Sequence, residues 1–334
     1  MRRTALALAL GALLVTSCSG AEQGSTTAGQ QSATAGSQYP TRTVRVMAPA
    51  APGGGWDQTS RAVQEVLDPQ VQPQVEVYNV PGAGGTVGLA QFVGTQGQPH
   101  ELMTMGAIMV GAIETNKSPV KLDRVTPLVR LLSEHEVVVV PSNSRYQTMQ
   151  QLLDDMRANL PSVSLAGGSA GGVEQVLAGL IAKQIGQDPK RVNYIAHSGG
   201  GEALTTILSG RASAGLSGIA EVQQQIQSGQ LRALAVSAPQ RVAGVDAPTL
   251  REAGVDVTLE NWRGIVGPPQ LSDGDEAAAE RMLTQMARSP QWQQVLQQRG
   301  WQDTFLAGEE FDRFVASEQE RYRGILRDLG LVQG

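Results

Sequence analysis

The run Ala48-Pro-Ala-Ala-Pro-Gly-Gly-Gly-Trp-Asp57 decides how this chain folds. It follows an apolar, strand-like run at 44–47 and precedes a stretch in which Thr59, Ala62, Val63, Val66 and Leu67 share one face of a helix. A strand, a glycine-rich turn and a helix start, in that order, leave backbone N–H groups without partners above the edge of a sheet. Such a place attracts anions, because the first turn of a helix carries partial positive charge. Similar turns recur at Pro81-Gly-Ala-Gly-Gly-Thr86, Ala166-Gly-Gly-Ser-Ala-Gly-Gly172 and His197-Ser-Gly-Gly-Gly201. These turns are expected to face one another across a cleft and to grip a small carboxylate.

Around the first turn, strand-like runs at 43–47, 74–78 and 101–105 alternate with helix-like runs at 58–67 and 86–93. That alternation is the pattern of βαβ units on a largely parallel sheet. Crossovers of one hand put strand ends and helix starts on the same rim, so the Gly53 and Gly82 turns are predicted to be neighbours. The run Glu136-Val-Val-Val-Val-Pro141 is too uniformly β-branched for a surface strand and reads as a passage between two domains.

A second alternating series follows, with helices at 148–158, 172–185, 201–208 and 221–227. Its strands fall at 162–166, 191–196, 212–216 and 231–236, enough for a sheet of its own. Asn261-Trp-Arg-Gly-Ile-Val-Gly-Pro-Pro269 reads as the return crossing. The remainder is expected to be helical, at 275–288, 291–298 and 310–329, without a sheet of its own, and to pack back on the first domain. The expected organisation is one lobe from 39–137 plus 264–334 and a second from 138–263. Two crossings between lobes make a hinge, and the cleft between them is where a small ligand binds.

Composition narrows the function. The chain has 334 residues, 41% of them hydrophobic, which suffices for two packed domains. Aromatic residues make up only 4%, too few for base-stacking platforms, and the net charge of -5 argues further against nucleic acid as a partner. An anionic ligand must therefore be held by local fields and not by overall attraction. The three histidines, His100, His135 and His197, share no metal-like spacing, and neither a metal nor a cofactor is implied.

The one cysteine rules out an intramolecular disulfide, and its position is informative. Arg2-Arg3 followed by the apolar run 5–15 has the layout of a secretory signal, too short for a typical transmembrane helix. The run ends in Val15-Thr16-Ser17-Cys18, which resembles a bacterial lipoprotein box. Residues 1–17 are thus expected to be a signal peptide and Cys18 a lipidated anchor on the outer face of a membrane. From 19 to 38 the chain is almost wholly Gly, Ser, Thr, Ala and Gln, a composition expected to form a flexible tether.

The Pro52–Asp57 turn, Asn79-Val-Pro-Gly-Ala-Gly-Gly-Thr-Val-Gly88, the Gly167–Gly172 turn and Trp262-Arg-Gly-Ile-Val-Gly-Pro268 together resemble one family. It is that of the solute-binding proteins of tripartite tricarboxylate transporters, also called the Bug family, and the resemblance runs from about Arg42 to the C-terminus. It implies an α/β, two-lobed type II periplasmic-binding-protein fold, monomeric, that closes on organic carboxylates and delivers them to membrane permease subunits.

In relatives the ligand is held largely by main-chain N–H groups and hydroxyls of the first two turns. Carried over, that implies Gly54, Gly55 and Trp56 with Gly84, Gly85 and Thr86. The second lobe is implied to contribute Ser169, Ala170, Gly171 and Gly172, and Ser198, Gly199 and Gly200. Trp56 with Asp57-Gln-Thr is most similar to the tricarboxylate-type branch, which favours citrate-like ligands. Val80 stands where many relatives carry a basic residue.

Several residues admit more than one role. Asp57 reads as structural, a carboxylate in the first helical turn four residues before Arg61. Trp56 either lines the cleft or closes the core, and Ser169 and Thr86 are either ligand donors or ordinary helix caps. His197 is either a ligand contact or a half-exposed loop residue. Gly167-Gly-Ser169-Ala-Gly171 also matches the nucleophile elbow of a serine esterase, with Asp188 and His197 following in order. Those two lie within nine residues of each other, whereas a hydrolase draws its acid and base from separated strands. A lipoprotein that reports its ligand to a sensor kinase would share the same fold and site.

Overall fold

A computed structural model describes residues 39–71 and 74–333. The expected signal peptide at 1–17, Cys18 and the tether to 38 lie outside the described residues. The chain begins with β1 (Val44–Ala48), α1 (Gly55–Leu67), β2 (Val75–Asn79), α2 (Thr86–Phe92), β3 (Glu101–Gly106) and α3 (Ala107–Thr115). It then runs through β4 (Thr126–Pro141), α4 (Met149–Asn159), β5 (Ser164–Gly167), α5 (Val173–Gln184) and β6 (Asn193–Ala196). There follow α6 (Gly200–Leu208), β7 (Ala214–Gly218), α7 (Ile219–Gln227), β8 (Leu231–Val236) and β9 (Glu260–Gly267). The chain finishes with α8 (Asp273–Ala287), α9 (Pro290–Arg299), β10 (Gln302–Ala307) and α10 (Gly308–Asp328).

Strands are hydrogen-bonded in the order β2-β1-β3-β9-β4-β7-β5-β6. β1 lies parallel to β2 and β3, β9 runs antiparallel between β3 and β4, and β5 lies parallel to β6 and β7. β4 joins the two halves, because its 16 residues change partners midway. Up to His135 it pairs with β9; from Glu136 it pairs with β7 and β8. At about 3.3 Å per residue such a strand is roughly 50 Å long, enough to cross both halves. It is buried continuously from Leu128 onward, as its run of branched apolar side chains requires. The two halves pack closely into one compact unit.

The helices cover the sheet by their apolar faces. α1 buries Ala62, Val63, Val66 and Leu67 in the same cluster as Leu283 and Met286 of α8 and Trp292 of α9. α10 buries Phe311, Val315, Tyr322 and Leu326 and returns over the first half, beside α3. Trp262 of β9 meets Phe311 and Phe314 of α10 edge-on, with ring centroids 6.1 and 5.1 Å apart.

Two elements depart from the sequence reading. The C-terminal region is not wholly helical, because β10 pairs antiparallel with β4 and extends the first half of the sheet. It is short and only partly buried, so it lacks an apolar run. Nor did a helix stand out at 107–115, where α3 has apolar residues all round and buries six of its nine. A helix enclosed on every side shows no stripe.

Candidate functional site

Four glycine turns meet at the ends of the parallel strands. From the first half, Gly54, Gly55 and Trp56 follow β1, and Gly84 and Gly85 follow β2. From the second, Gly168 and Ser169 follow β5, and Ser198, Gly199 and Gly200 follow β6. They line one narrow cavity together with Glu174, Glu221 and Arg263.

The remaining candidates lie off this cavity. Thr86 turns its hydroxyl back onto the Ala83 carbonyl at 2.9 Å, as a local cap. Ala170 is exposed, and the Gly171 and Gly172 N–H groups are taken by Gln175 Oε1 and the Ser169 carbonyl. Gly171 has φ +75 and packs against Thr115, so only a residue without Cβ fits there. His197 is half-buried, with Nδ1 against the Gly167 and Ile195 carbonyls and Nε2 2.7 Å from Thr206 Oγ1.

That arrangement also fails to assemble an esterase triad. Both ring nitrogens of His197 are engaged away from Ser169, and Asp188 accepts from the Lys190 N–H as a helix cap. Trp56 both lines the cavity and belongs to the core, 4% exposed, with its ring against Gly85. Its Nε1–H has no partner.

The turn amides fall into three sets; those of Gly54 and Gly85, expected to hold the ligand, donate instead to the Ala51 and Gly82 carbonyls at 3.2 and 3.0 Å. Among the described residues, the N–H groups of Gly84, Ser169 and Gly199 make no hydrogen bond and are free for a ligand. Others are held by the protein's own acids. Gly53 donates to Asp57 Oδ2 at 2.8 Å, and Ser198 donates to Glu202 Oε2 at 3.0 Å. The Glu174 carboxyl lies against Gly168, and that of Glu221 against Gly55.

Three charged residues of this cavity were given no role by the sequence reading. Arg263, wholly buried on β9, pairs closely with Glu134 of β4, and its Nη1 lies 3.3 Å from Thr59 Oγ1. Its Nε has no partner. Glu221, at the first turn of α7, brings Oε1 within 3.8 Å of Arg263 Nη2. Glu174, at the first turn of α5, leaves Oε2 unpaired.

Burial pushes the Glu221 carboxyl up to about 8, with Glu134 and Glu174 adding to the effect and Arg263 opposing it. Burial likewise raises Glu174 to about 7. Glu136, behind them on β4 and bonded to Asn261, is raised well above the usual carboxylate range by burial and by its acidic neighbours. The floor of the cavity is thus acidic groups around one guanidinium, several of them protonated near neutral pH. Among the described residues no group of three or more His, Cys, Asp and Glu side chains is placed to hold a metal ion.

The fold that carries this cleft is shared with known proteins. Residues 59–331 match the family model described as Tripartite tricarboxylate transporter family receptor. The chain is 24% identical over 310 residues to Protein BugT of Bordetella pertussis, covering 91% of this chain and 94% of that one. It superposes on MatC from Rhodopseudomonas palustris, solved with bound malate, with a TM-score of 0.76 at 20% identity, covering 86% of this chain and 100% of that one. On an R. palustris protein solved with adipate the TM-score is 0.79 at 16% identity, covering 87% and 98%. These likenesses carry the fold, a mixed α/β periplasmic-binding-protein architecture. The family match spans most of the chain, and this protein therefore belongs to the tripartite tricarboxylate transporter receptors, which are solute-binding proteins and not enzymes.

Proposed function

We propose that this receptor captures organic carboxylates outside the cytoplasmic membrane and delivers them to the permease subunits of a tripartite transporter. The observation that carries the reading is the convergence of four glycine turns, two from each half, on one cavity with unpaired N–H groups at Gly84, Ser169 and Gly199. Hydrogen bonds to a charged group contribute about 1.5–3 kcal/mol each. A micromolar complex needs only about 8 kcal/mol, so a few such donors suffice. The malate and adipate found in structurally similar proteins support carboxylates as the class. The resemblance around Trp56 favours a citrate-like tricarboxylate.

In this reading the halves act as lobes, 39–137 with 264–334 and 138–263, hinged where β4 and β9 cross. A ligand that touches turns of both lobes at once drives closure. Lipidated Cys18 would hold the protein, as a monomer, at the membrane surface.

The test is a thermal-shift panel of citrate, malate, adipate, aromatic acids, sugars and cationic solutes on the protein. Citrate is expected to raise the melting temperature most. A sugar or cation that shifts the transition while every carboxylate leaves it unchanged would overturn the ligand class. Mass spectrometry of membrane-extracted protein checks the anchor, which Cys18→Ser should abolish. Loss of carboxylate uptake in a strain lacking the protein separates delivery to a permease from signalling to a kinase.

A further inference from the structure

Glu221 sits where a ligand carboxylate would be expected. It projects from α7 in the second half, its side chain 9% exposed, and its carboxyl lies against Gly55 at the start of α1 in the first half. On its other side the carboxyl packs against Gly200, at the start of α6, so closely that a Cβ there has no room. A Cβ on Gly55 would lie 2.6 Å from Glu221 Oε1. One carboxyl thus touches a glycine turn of each half. Beside it two buried donors are left unpaired. Arg263 is wholly buried and lines the cavity, yet its Nε–H has no partner, and neither has the Nε1–H of buried Trp56. Buried donors left unpaired are rare, and they point to an acceptor that arrives from outside.

We propose that the Gly55 N–H and the Arg263 guanidinium form a carboxylate subsite, that Glu221 fills it in the ligand-free protein, and that a ligand carboxylate binds by displacing Glu221. The inference rests on the carboxylate-receptor reading and deepens it. A guanidinium beside a helix N-terminus is a strong site for a carboxylate.

Displacement also selects the ligand. A monocarboxylate only replaces the contacts that Glu221 gives up. A ligand with a second or third carboxylate engages the free amides of Gly84, Ser169 and Gly199 as well, so di- and tricarboxylates are favoured over monocarboxylates.

The charged groups that face Glu221 are Arg263 from β9, Glu134 and Glu136 from β4, and Glu174 from α5; Glu202 of α6 is turned to the Ser198 N–H instead. Near pH 7 the raised Glu221 carboxyl is largely protonated and a weak competitor. Above about pH 8 it ionises and holds Arg263 and the Gly55 N–H more firmly.

The test is calorimetric titration of citrate, malate and acetate into the full-length protein and its Glu221→Ala and Glu221→Gln variants at pH 6, 7 and 9. Circular dichroism confirms that each variant is folded. Glu221→Ala is expected to bind citrate and malate at least tenfold more tightly than the unmodified protein at pH 9, and Glu221→Gln to follow in the same direction. The affinity of the unmodified protein should fall from pH 7 to pH 9, while that of Glu221→Ala falls less, through Glu174 alone. Weaker or unchanged binding in the folded variants makes Glu221 a ligand contact or a bystander and overturns displacement while leaving the carboxylate reading intact. If neither the unmodified protein nor either variant binds any carboxylate, both readings fall.

Discussion

Asn79 Nδ2 donates to Asp57 Oδ1 at 2.9 Å, tying the end of β2 to the first turn of α1. The same carboxylate accepts the Gly53 N–H at 2.8 Å and Arg61 Nε at 3.0 Å, while Asn79 also reaches the Ala50 carbonyl at 3.0 Å. Asp57 is therefore the residue that sets the first glycine turn beside the second. Its role is structural, and it is not among the residues that line the cavity.

Replacing Asp57 by Ala should cost about 2–4 kcal/mol of stability, because buried donors lose a charged acceptor. Burial alone would raise its pKa, but hydrogen bonds from Arg61, Gly53 and Asn79 outweigh burial and hold the carboxyl below its ordinary value of 3.8. A depressed folded pKa gives stability that is present above the unfolded value and lost as pH falls through the folded one. Thermal melts from pH 7 to pH 3 should show a steeper acid loss in the unmodified protein than in Asp57→Asn. Equal slopes would mean that the turn does not depend on the ionised form.

The buried pair Trp262–Glu318 supports a second expectation. Trp262 Nε1 donates to Glu318 Oε2 at 2.8 Å, and Arg321 clasps the same carboxylate at 2.6 and 2.9 Å. This contact fixes α10 on β9, the strand that carries Arg263 to the cavity. Glu318→Ala leaves the indole N–H without a partner and should lower urea stability by about 2–4 kcal/mol. Glu318→Gln keeps an acceptor and should lose less. A loss below about 0.5 kcal/mol in Glu318→Ala would show that α10 is held by its apolar face alone.

Most of this framework was legible from side-chain periodicity. The β1 to α1 turn stood out because glycines interrupt a switch from strand to helix spacing, and the two first-half turns share a rim because β1 and β2 are parallel. The long passage through 136–141 was visible as a branched apolar run, and β4 carries it across both halves. What periodicity could not mark were the elements that bury every face, such as α3, or few, such as β10.

The acids of the site were hidden for another reason. Glu174 and Glu221 sit in the first turns of helices, where acidic residues are commonplace, and α7 is so rich in Gln that its acid reads as solvated surface. A usable signal existed all the same. Glu221 lies three residues past the end of β7, on the rim that the glycine turns occupy, and Arg263 is a charge in the middle of a buried crossing strand.

Glycine replacements should separate the cavity wall from its surroundings. A Cβ at Gly55 meets the Arg263 guanidinium and Glu221, and both groups lie at the buried floor. A Cβ at Gly201, one residue into α6, meets nothing within 4 Å. Gly55→Ala is expected to weaken carboxylate binding at least tenfold, and Gly201→Ala to leave it unchanged, as read by calorimetry. Tight binding in Gly55→Ala would place the ligand elsewhere.

The acidic floor makes stability depend on pH in the sense opposite to Asp57. Glu221 ionises near its ordinary value of 4.5 in the unfolded chain but near 8 in the folded protein. Between those values the unfolded state releases a proton that the folded state keeps, so stability is full below about pH 4.5, falls as pH rises, and levels off above about pH 8. For Glu221 alone the gap sets a ceiling of about 5 kcal/mol. Glu174, raised to about 7, acts in the same direction. With Asp57 losing its contribution in acid, stability should peak near pH 5. Urea midpoints at pH 5, 7 and 9 should therefore fall in the unmodified protein, and Glu221→Gln, which cannot ionise, should fall less. A midpoint that stays level from pH 5 to pH 9 would mean that Glu221 is ionised throughout, with Arg263 outweighing the burial of its carboxyl.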